Sequence, residues 1–563
     1  MSALPVSDEA PVRAAERSAA EPTRARTLAV PRVLAAETAA VGGLALAVRL
    51  PGLGHEPWGD ELYHILAARD YLETGVFGIN GGVYGRSAAY SEMVAGLYQV
   101  FGVSPLVARI PALIAAVLTI VVLFAWVRRE GERMAAWVAA LVLIFTPDLI
   151  EQAQYARFYP FQHLFLLLGA VTLSALIALP PGRQRHAWTL GIASLLSVAV
   201  SLYFQSLTVI GAAGLVLGGA VLAGPRIVSA VPRNRRALLA AGTLAAIAIV
   251  AAAAWRLDAV QRILALATYT DLWGEGTRNE FRYYHWLLLE DYPAAWTLFP
   301  LLAVLALARQ RRIATLALAV FVVGFVAHTL LAWKAARYMS YALPFFAVVV
   351  GLGAAHAVPF LRGAMERAIP RDAPSARWVR TLAWAAVIGF IVLTNNAFVD
   401  SARLLTRDNT VLHPGGPTPT LSWSLAEPVL QPLAADVDAV VSTEDLEAIW
   451  FFDRLDYVLD RDHLLQGRAK PEFSVDGKIM VPMIGGTESL RRVVACHPTG
   501  LLVAMRWALQ SYKMAPETAQ FIRETLEPVP VPERSGLVAF RWDASSRAAA
   551  GECPGIPTAE VVQ

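Results

Sequence analysis

The chain has 563 residues, of which 56% are hydrophobic and 17% are charged, whereas about 25% of the residues in an ordinary soluble domain carry a charge. Its mean hydropathy of +0.49 also argues against a typical soluble globular protein and predicts several membrane-spanning segments. The formal net charge of +3 is small, so the distribution of the charges along the chain is more informative than their sum.

Residues 1–29 are rich in Ala, Arg, Glu and Pro, and they lack the short apolar core and cleavage site of a secretory signal. They are predicted to be a disordered cytoplasmic tail. About eleven apolar segments follow between residues 30 and 399, each near the ~20 residues that a bilayer requires. The predicted spans are residues 30–50, 106–127, 134–150, 158–179, 187–204, 207–223, 237–255, 292–308, 313–332, 340–361 and 380–398.

Arginine is concentrated in every second loop between these spans, for example in "RREGER" (128–133), "GRQRH" (182–186) and "RQRR" (309–312). Because cytoplasmic loops carry an excess of Lys and Arg, this pattern places the N-terminus inside and, with an odd number of spans, the C-terminus outside. We therefore expect a multi-pass protein of a bacterial cytoplasmic membrane. Since topology explains the Arg excess, the charge pattern gives no support for nucleic-acid binding.

Residues 400–563 have a different composition, with frequent charges, Pro and Gly. The stretch "DAVVSTED" (438–445) predicts a buried strand that ends at a helix cap, and "LEAIWFFDRL" (446–455) predicts the helix that follows. The segment is therefore predicted to be a soluble α/β domain on the outer face. It contains both cysteines of the chain, Cys496 and Cys553. They form either an exported disulfide or two unrelated thiols.

Polar residues that the Arg pattern does not explain collect in the predicted outer loops. These loops contain Asp60–Glu61 and the segments 151–160, 203–206, 268–286 and 333–341. A charge at the centre of a span would cost about 3 kcal/mol or more, and none of the spans contains one at its centre. The pattern predicts a site at the membrane–water boundary that is open to an amphipathic substrate.

The stretch "PWGDELYH" (57–64) places two adjacent carboxylates directly after the first span and before a short amphipathic helix. Asp60 as the N-cap and Glu61 in the first turn would be favoured by the helix dipole, which is a purely structural explanation. The alternative is that a carboxylate at this position acts as a general base or as a ligand of Mg²⁺, Mn²⁺ or Ca²⁺. The pattern of residues leaves both explanations open.

Lys334 is the only Lys before residue 470 and lies in a predicted outer loop, against the usual charge asymmetry. Its compact ammonium group beside Arg337 suits a phosphate. The alternative is an interfacial Lys whose side chain extends to the lipid headgroups.

Four segments, in chain order, resemble motifs of the GT-C superfamily of integral-membrane glycosyltransferases, in particular the branch that contains aminoarabinose transferases of lipid A and protein O-mannosyltransferases. The segments are "WGDELYHILAARDYLETG" (58–75), "YSEMVAGLYQVFGVSPLVARIPALIAAVLT" (90–119), "QYARFYPFQHLFLLLGA" (154–170) and "KAARYMSYALPFFAVVV" (334–350). The resemblance covers roughly residues 30–400. The ordered set is more specific than any one of the motifs.

This resemblance implies a polyprenyl-phosphate sugar donor, transfer on the non-cytoplasmic face, and usually inversion at the anomeric carbon. By position, Asp60 becomes the base on the acceptor hydroxyl and Glu61 its neighbour or a cation ligand. The implied partners of the donor phosphate are Arg157, Lys334, Arg337 and Tyr338. The implied pocket residues are His64, Arg86, Glu92, Gln154, Tyr159, Gln205 and Asp271.

One departure concerns the Lys-Pro-Pro element that the family often has before the second span, because "GRSAAYSEMVAG" (85–96) stands here instead. Arg86, His64 and Glu92 are the candidates for its function.

The chemistry needs only one carboxylate base and positively charged residues near the departing phosphate, because a phosphate is a weakly basic leaving group. The acceptor class, whether lipid, glycan or protein, is left open.

The main alternative is a transporter or flippase of a lipid-linked molecule. Such proteins show repeated halves and interrupted helices with polar groups near the midplane, and the sequence indicates neither feature. A second alternative is a non-catalytic scaffold whose outer domain binds a partner. Such a scaffold would not bring acidic and basic residues together in one site. The C-terminal domain is predicted to help hold the acceptor.

Overall fold

A computed structural model describes residues 22–180, 182–230, 280–332, 334–368, 378, 381, 395–406, 411–413, 416–418, 421–460, 472–510, 514–557 and 561–562. Within these ranges, a helical part extends to residue 406 and a part that contains a mixed β-sheet follows it. The predicted span 237–255, most of the predicted span 380–398 and the candidate residue Asp271 lie outside the described residues.

The helices of the first part are α1 (Pro22–Arg49), α2 (Leu62–Thr74), α3 (Ala88–Phe101), α4 (Pro105–Glu130), α5 (Arg133–Ile144), α6 (Pro147–Ala153), α7 (Tyr159–Ala178), α8 (Gln184–Phe204), α9 (Thr208–Ala230), α10 (Tyr283–Asp291), α11 (Pro293–Thr297), α12 (Phe299–Arg309), α13 (Arg311–Leu330), α14 (Ala336–Met339), α15 (Leu343–Ala368) and α16 (Asn396–Thr406). Short 3₁₀ turns at Gly59–Glu61 and Ser340–Ala342 precede α2 and α15.

Among the described residues, six helices are long and apolar enough to cross a bilayer. They are α4, α7, α8, the first part of α9, α13 and the segment Ala336–Ala357, which runs from α14 into α15. Each corresponds to one predicted span, since a run of about 20 apolar residues can satisfy its backbone in lipid only as a helix. The chain therefore has the architecture of a multi-pass membrane protein. The described part does not reach the predicted number of about eleven spans.

Two predicted spans are interrupted. The span 134–150 consists of α5 and α6, whose axes differ by 65°, because the ring of Pro147 at the start of α6 prevents α5 from continuing. The span 292–308 is divided into α11 and α12. The expectation that the chain has no interrupted helices is therefore wrong, because Pro147 and Pro300 lie at the starts of the helices that follow the two breaks.

A buried arginine stabilises the break between α5 and α6. Arg49, the last residue of α1, is fully buried and donates from Nη2 to Leu143 O at 3.2 Å and from Nη1 to Ile144 O at 3.3 Å. These carbonyls lie at the end of α5, where Leu143 O also accepts from the backbone N–H of Thr146, and Arg49 adds a charged donor to each of them. Helix α1 itself begins at Pro22, within the segment 1–29 that was predicted to be disordered.

The second part contains α17 (Trp423–Ala435), α18 (Asp445–Phe452), α19 (Thr487–Cys496), α20 (Pro516–Thr525) and α21 (Ala544–Ala550). Its strands are β1 (Val411–His413), β2 (Gly416–Thr418), β3 (Ala439–Ser442), β4 (Tyr457–Leu459), β5 (Val475–Asp476), β6 (Met483–Ile484), β7 (Gly500–Met505), β8 (Glu527–Val529), β9 (Leu537–Trp542) and β10 (Val561–Val562). The strand 439–442 and the helix after it agree with the prediction from "DAVVSTED" and "LEAIWFFDRL".

Six strands form one sheet in the order β6-β4-β3-β7-β9-β8. The first four are parallel to one another, whereas β9 is antiparallel to both β7 and β8. Every residue of β3, β4 and β7 is buried, which is the burial expected for parallel strands that are covered on both faces. The domain is therefore α/β, with its helices packed on the two faces of the sheet.

One hydrophobic cluster joins this α/β domain to the helical part. It contains Leu62 of α2, Tyr90 of α3, Trp423 of α17 and Ile479, all buried. At the edge of this interface, Arg69 donates to Asp453 at 2.8 Å. The sheet-containing domain thus packs directly on the loop region 51–105.

A disulfide joins Cys496, the last residue of α19, to Cys553 in the C-terminal segment. The two Cα atoms are 4.7 Å apart, and the two residues are 57 positions apart in sequence. A cross-link over a loop of this length reduces the conformational freedom of the unfolded chain.

We expect that the double variant Cys496→Ser/Cys553→Ser loses about 2–4 kcal/mol of unfolding free energy in the C-terminal domain, because its unfolded state gains the freedom that the cross-link removes. Denaturant unfolding of the full-length protein in detergent measures this loss. Reductant should destabilise the wild-type protein by a similar amount and leave the double variant unchanged. Equal stability of the wild-type protein with and without reductant would contradict the prediction.

Candidate functional site

Asp60 lies in the 3₁₀ turn Gly59–Glu61 that precedes α2. Its side chain is 43% exposed. Arg157, which is only 2% exposed, binds the residue twice: Nη1 donates to Asp60 O at 2.9 Å and Nη2 donates to Asp60 Oδ2 at 3.2 Å. Oδ1 accepts no hydrogen bond from the described residues. Arg157 therefore orients a carboxylate that still has one oxygen accessible to a ligand.

Four cations act on this carboxylate. Burial raises the pKa of Asp60, but the positive charges of Arg157, Arg337, Arg86 and Lys478 outweigh this effect and hold the pKa below its usual value of 3.8. Asp60 is consequently ionised at neutral pH. The charges come from the loop before α3, the loop before α7, helix α14 and the C-terminal domain, so segments that are distant in sequence meet at one carboxylate.

The ring of Phe158 lies between two of these cations. The guanidinium carbon of Arg157 is 5.0 Å from the ring centroid and that of Arg86 is 5.3 Å from it. Such cation–π contacts hold a guanidinium group in place without using its N–H donors. The Nε of Arg157 is buried and has no hydrogen-bond partner among the described residues. The Arg157 guanidinium thus keeps donor capacity for an anion.

Two further buried polar atoms close to this cluster have no hydrogen-bond partner in the described part of the chain, His64 Nε2 and Tyr84 Oη. The His64 and Tyr84 rings meet edge to face, with centroids 5.2 Å apart. Burial and the nearby Arg157 and Arg86 lower the pKa of His64, so its imidazole is neutral. Burial also raises the pKa of Tyr84, which stays a phenol. Both groups offer neutral hydrogen-bonding atoms beside the charged cluster.

Glu61 has a structural position. Its side chain is fully buried and forms a bidentate ion pair with Arg109 of α4, with Nη2 to Oε1 at 2.6 Å and Nε to Oε2 at 3.0 Å. The backbone N–H groups of Trp58 and Ala156 donate to the same carboxylate. Because both oxygens are occupied inside the protein, the structure does not support the prediction of Glu61 as a catalytic residue or cation ligand.

The remaining donors of Arg109 bind the loop that leads to Asp60. Nη1 donates to Leu53 O at 2.7 Å and to His55 O at 2.8 Å, and Nη2 donates to Glu56 O at 3.3 Å. A buried guanidinium whose donors are all used is the arrangement that makes such a charge tolerable. Arg109 therefore fixes the conformation of residues 53–61.

The C-terminal domain holds the same loop from the other side. Glu447 of α18 accepts a hydrogen bond from the backbone N–H of Gly59 at 2.6 Å. Glu56 accepts one from Ser422 Oγ at 2.6 Å and one from the backbone N–H of Trp423 at 2.8 Å. Glu56 thus caps the N-terminus of α17. Asp60 lies between these two attachment points and the Arg109 contacts.

Lys334 does not face the charged cluster. It is 6% exposed, and its Nζ donates to His328 O and Thr329 O, both at 2.7 Å, and to Leu331 O. These are carbonyls at the C-terminal end of α13, where a Lys side chain commonly caps the helix. Burial lowers the pKa of Lys334 to about 8. The prediction of Lys334 as a phosphate ligand is wrong, because all three of its N–H donors are used.

Arg337, which was predicted to bind the donor phosphate together with Lys334, is exposed. Its guanidinium carbon is 5.4 Å from the ring centroid of Tyr338. Tyr159 is buried, and the guanidinium carbon of Arg157 is 5.8 Å from its ring. These three predicted residues, Arg337, Tyr338 and Tyr159, therefore lie in the surroundings of Asp60 and Arg157.

The other predicted pocket residues have different positions. His64 donates to or accepts from Ser91 Oγ through Nδ1 at 2.9 Å. Gln154 is buried, and its Nε2 donates to Arg49 O at 3.0 Å, so it caps the end of α1. Gln205 is buried at the end of α8, whereas Glu92 is exposed on α3. The structure brings neither Gln154 nor Glu92 into contact with Asp60.

Several of the segments predicted to share one level meet within the described part of the chain. The loop between α8 and α9 contacts the start of α3, where Ser87 Oγ donates to Phe204 O at 3.0 Å. Of the segment 268–286, the described residues include Tyr284, whose Oη donates to Ala335 O at 3.0 Å. The loops before α3 and α7 and the helix α14 converge on Asp60.

The residues of the site do not fit a divalent cation. Of the two predicted ligands, Glu61 is paired with Arg109 and Asp60 stands among four positive charges. Within the described ranges, no group of three or more His, Cys, Asp or Glu residues could hold a metal ion. Divalent cations in proteins take several oxygen ligands with net negative charge.

Sequence reasoning missed three residues of this site: Arg109, Tyr84 and Lys478. Arg109 had a detectable signal, because an Arg at the predicted outer end of an apolar span runs against the usual charge asymmetry. Lys478 had no such signal in the sequence, since its proximity to Asp60 depends on how the C-terminal domain packs.

Comparisons with known proteins identify the fold. No protein-family model matches the chain, and no curated protein matches it. Among solved structures, ArnT from Cupriavidus metallidurans in the apo state is similar, with a TM-score of 0.55 and 14% identity over 92% of this chain and 99% of that chain. ArnT bound to undecaprenyl phosphate matches with a TM-score of 0.56 and the same identity and coverage.

The archaeal oligosaccharyltransferase AglB from Archaeoglobus fulgidus, in complex with an inhibitory peptide and a dolichol-phosphate, has a TM-score of 0.55. Its identity is 12%, over 84% of this chain and 69% of that chain. At such identities the similarity concerns the fold. The chain therefore has the fold of these solved structures, which agrees with the fold implied by the resemblance of the four motifs.

We expect Arg109→Gln to lower the unfolding free energy by about 3–5 kcal/mol, because it leaves the Glu61 carboxylate buried without its partner. The double variant Glu61→Gln/Arg109→Gln should be more stable than Arg109→Gln, since neither group is then charged. Thermal unfolding in detergent compares the variants.

The matched control for this experiment is Arg312→Gln, which removes a partly exposed pair with Glu130 and should cost at most about 1 kcal/mol. If Arg109→Gln and Arg312→Gln both unfolded near the wild-type temperature, the result would contradict the conclusion that the buried pair stabilises the loop.

Proposed function

We propose that the chain is a membrane glycosyltransferase that moves a sugar from a polyprenyl-phosphate donor to an acceptor hydroxyl, with Asp60 as the base. The observation that carries the proposal is the half-exposed Asp60 carboxylate among Arg86, Arg157, Arg337 and Lys478. The fold adds support, because solved structures of ArnT and AglB with this fold contain undecaprenyl phosphate and a dolichol-phosphate.

In the proposed reaction, the acceptor hydroxyl gives its proton to Asp60 while its oxygen attacks the anomeric carbon of the sugar. The bond between that carbon and the donor phosphate oxygen breaks, and the electron pair stays on the phosphate. The phosphate therefore gains one negative charge, which the neighbouring guanidinium groups stabilise as it develops. A phosphate leaves without prior protonation, so a single carboxylate suffices, and attack opposite the leaving group inverts the anomeric configuration.

The low pKa of Asp60 fits this role in a specific way. The free enzyme keeps the carboxylate ionised because four cations surround it. Binding of an anionic donor would neutralise part of that positive charge, and the basicity of Asp60 would rise with the donor in place. Asp60 is then most basic when the donor is bound, which is when it must accept the proton of the acceptor hydroxyl.

We place the reaction on the periplasmic side of a bacterial cytoplasmic membrane, with the N-terminus inside. The Arg distribution along the chain supports this orientation. The disulfide between Cys496 and Cys553 supports it independently, because disulfides persist in exported domains. The acceptor can be a lipid, a glycan or a protein, and its hydroxyl group is the feature that the mechanism requires.

The alternative of a transporter or flippase draws on one observation, the 65° break between α5 and α6, because interrupted helices are typical of transporters. In transporters the free backbone groups at such breaks bind the substrate or ion. Here Arg49 occupies the carbonyls of Leu143 and Ile144. The break is thus used for internal packing, and transferase chemistry is the better explanation of the site.

The direct test is Asp60→Asn in the purified full-length protein, with labelled polyprenyl-phosphate sugars as donors and a membrane extract as the acceptor. We expect a loss of about 10²–10⁴-fold in kcat at wild-type thermal stability, because the amide cannot accept the proton. Glu73→Gln is the matched control, since Glu73 is an exposed carboxylate on the same helix α2. It should transfer sugar normally. Normal transfer by Asp60→Asn would remove Asp60 from the mechanism.

The pH profile gives a second test. Arg157→Gln should raise the pKa of Asp60, because it removes one of the charges that lower it. The acid limb of kcat/KM, where protonation of Asp60 stops the reaction, should therefore move to higher pH in the variant. Arg86→Gln should move it in the same direction.

Arg133→Gln serves as the control for the pH experiment, because Arg133 pairs with Glu37 and does not act on Asp60. Its acid limb should coincide with that of the wild-type protein. An unshifted acid limb in both Arg157→Gln and Arg86→Gln would show that the group titrating in the profile is not Asp60.

A further inference from the structure

A turn of the C-terminal domain reaches the catalytic loop region. The backbone N–H of Val83 donates to Gly477 O at 3.0 Å. Beside it, Gly82 approaches so closely that a Cβ atom there would lie 2.3 Å from the Lys478 backbone. A side chain at position 82 would therefore push the turn away, and only Gly permits this contact.

The turn has a defined conformation. Asp476 Oδ1 accepts from the backbone N–H of Lys478 at 2.9 Å, and Asp476 O accepts from the N–H of Met480 at 2.8 Å. Ile479 is buried in the hydrophobic cluster that also contains Leu62 and Tyr84. The backbone of Lys478 is thus anchored on the helical part through its two neighbours.

The Lys478 side chain points toward the site. Its Nζ is 6.0 Å from the ring centroid of Tyr63, and the Tyr63 ring stacks on that of Tyr84 with centroids 4.9 Å apart. The side chain is 54% exposed, and its carboxylate neighbour, Asp476 Oδ2, lies 3.9 Å from Nζ. At that distance and exposure the ion pair is weak. The ammonium group is therefore available to a ligand.

We propose that Lys478 binds the phosphate of the polyprenyl-linked substrate, so that the C-terminal domain contributes directly to the catalytic site. This inference rests on the proposed function. Lys478 belongs to the group of four cations that converge on Asp60, and converging cations bind one anion most strongly where their fields add. A compact ammonium group suits a phosphate as a point charge.

The charges of the reacting groups are compatible with a fourth cation at the site. The phosphate of the donor is a diester with one negative charge, and sugar transfer turns it into a monoester with up to two. Asp60 carries one negative charge before the reaction and takes up the acceptor proton as the phosphate gains its second charge, so the reacting groups carry two negative charges throughout. Three guanidinium groups and one ammonium group exceed these two charges, so the site keeps a positive potential that attracts the anionic donor and the phosphate product.

The experiment measures binding of undecaprenyl phosphate to the full-length protein in detergent, for the wild type, Lys478→Ala and Lys478→Arg. We expect Lys478→Ala to weaken binding about fivefold to tenfold and Lys478→Arg to stay within about twofold of the wild type, because the lost contact is a charge-assisted hydrogen bond. Neutral undecaprenol should bind all three proteins equally, since it has no phosphate.

Arg541→Ala is the matched control. Arg541 belongs to the same domain, its side chain is also 54% exposed, and it pairs with Glu527. It should bind undecaprenyl phosphate as the wild type does. Unchanged binding of undecaprenyl phosphate by Lys478→Ala would overturn the inference. An equal loss of undecaprenol binding in this variant would also overturn it, because the effect would then not depend on the phosphate.

The sugar-transfer assay separates this inference from the proposed function. If the wild-type protein binds undecaprenyl phosphate in a Lys478-dependent manner but transfers no sugar from any donor, the proposed function fails and the role of Lys478 stands. If the wild type transfers sugar and Lys478→Ala has an unchanged donor KM and undecaprenyl phosphate affinity, only the role of Lys478 is wrong. An increase confined to the acceptor KM would also overturn it.

Discussion

The buried ion pair between Glu61 and Arg109 is the interaction on which the geometry of the site depends. It joins the loop after α1 to helix α4, and its remaining hydrogen bonds reach the backbone of residues 53–58 and of Ala156. Two charges without contact with solvent are stable together only because nearly every donor and acceptor is used. Loss of either partner would therefore release both the Asp60 turn and the segment that carries Arg157.

The C-terminal domain completes this constraint. Glu56 and the N–H of Gly59 are bound by residues of α17 and α18, while Arg109 holds the same loop from the membrane side. Asp60 can consequently remain half-exposed without becoming mobile. Catalytic groups that are fixed before the substrate binds need no reorganisation during the reaction.

The sequence predicted the spans well where a continuous apolar run forms one helix, as for α4, α7 and α13, because length and hydropathy alone determine such elements in lipid. Motif order singled out Asp60, Arg157 and Arg337 as candidates, and the structure brings these three residues into one cluster. It could not separate the roles of Asp60 and Glu61, because adjacent residues in a turn point in different directions and only packing decides which one is buried. Lys334 was misassigned because its local partners, the last carbonyls of α13, are invisible in a charge pattern.

The same reasoning explains why Lys478 lay beyond prediction. More than 400 positions separate Lys478 from Asp60, and their proximity depends on Gly82, on the turn at Asp476 and on the hydrophobic cluster around Ile479. Long-range contacts of this kind are set by shape and burial, which leave no periodicity in a sequence. A small domain that supplies both backbone anchors and one cation to the site couples the Asp60 turn to the position of Lys478, because both depend on how the domain packs on the helical part.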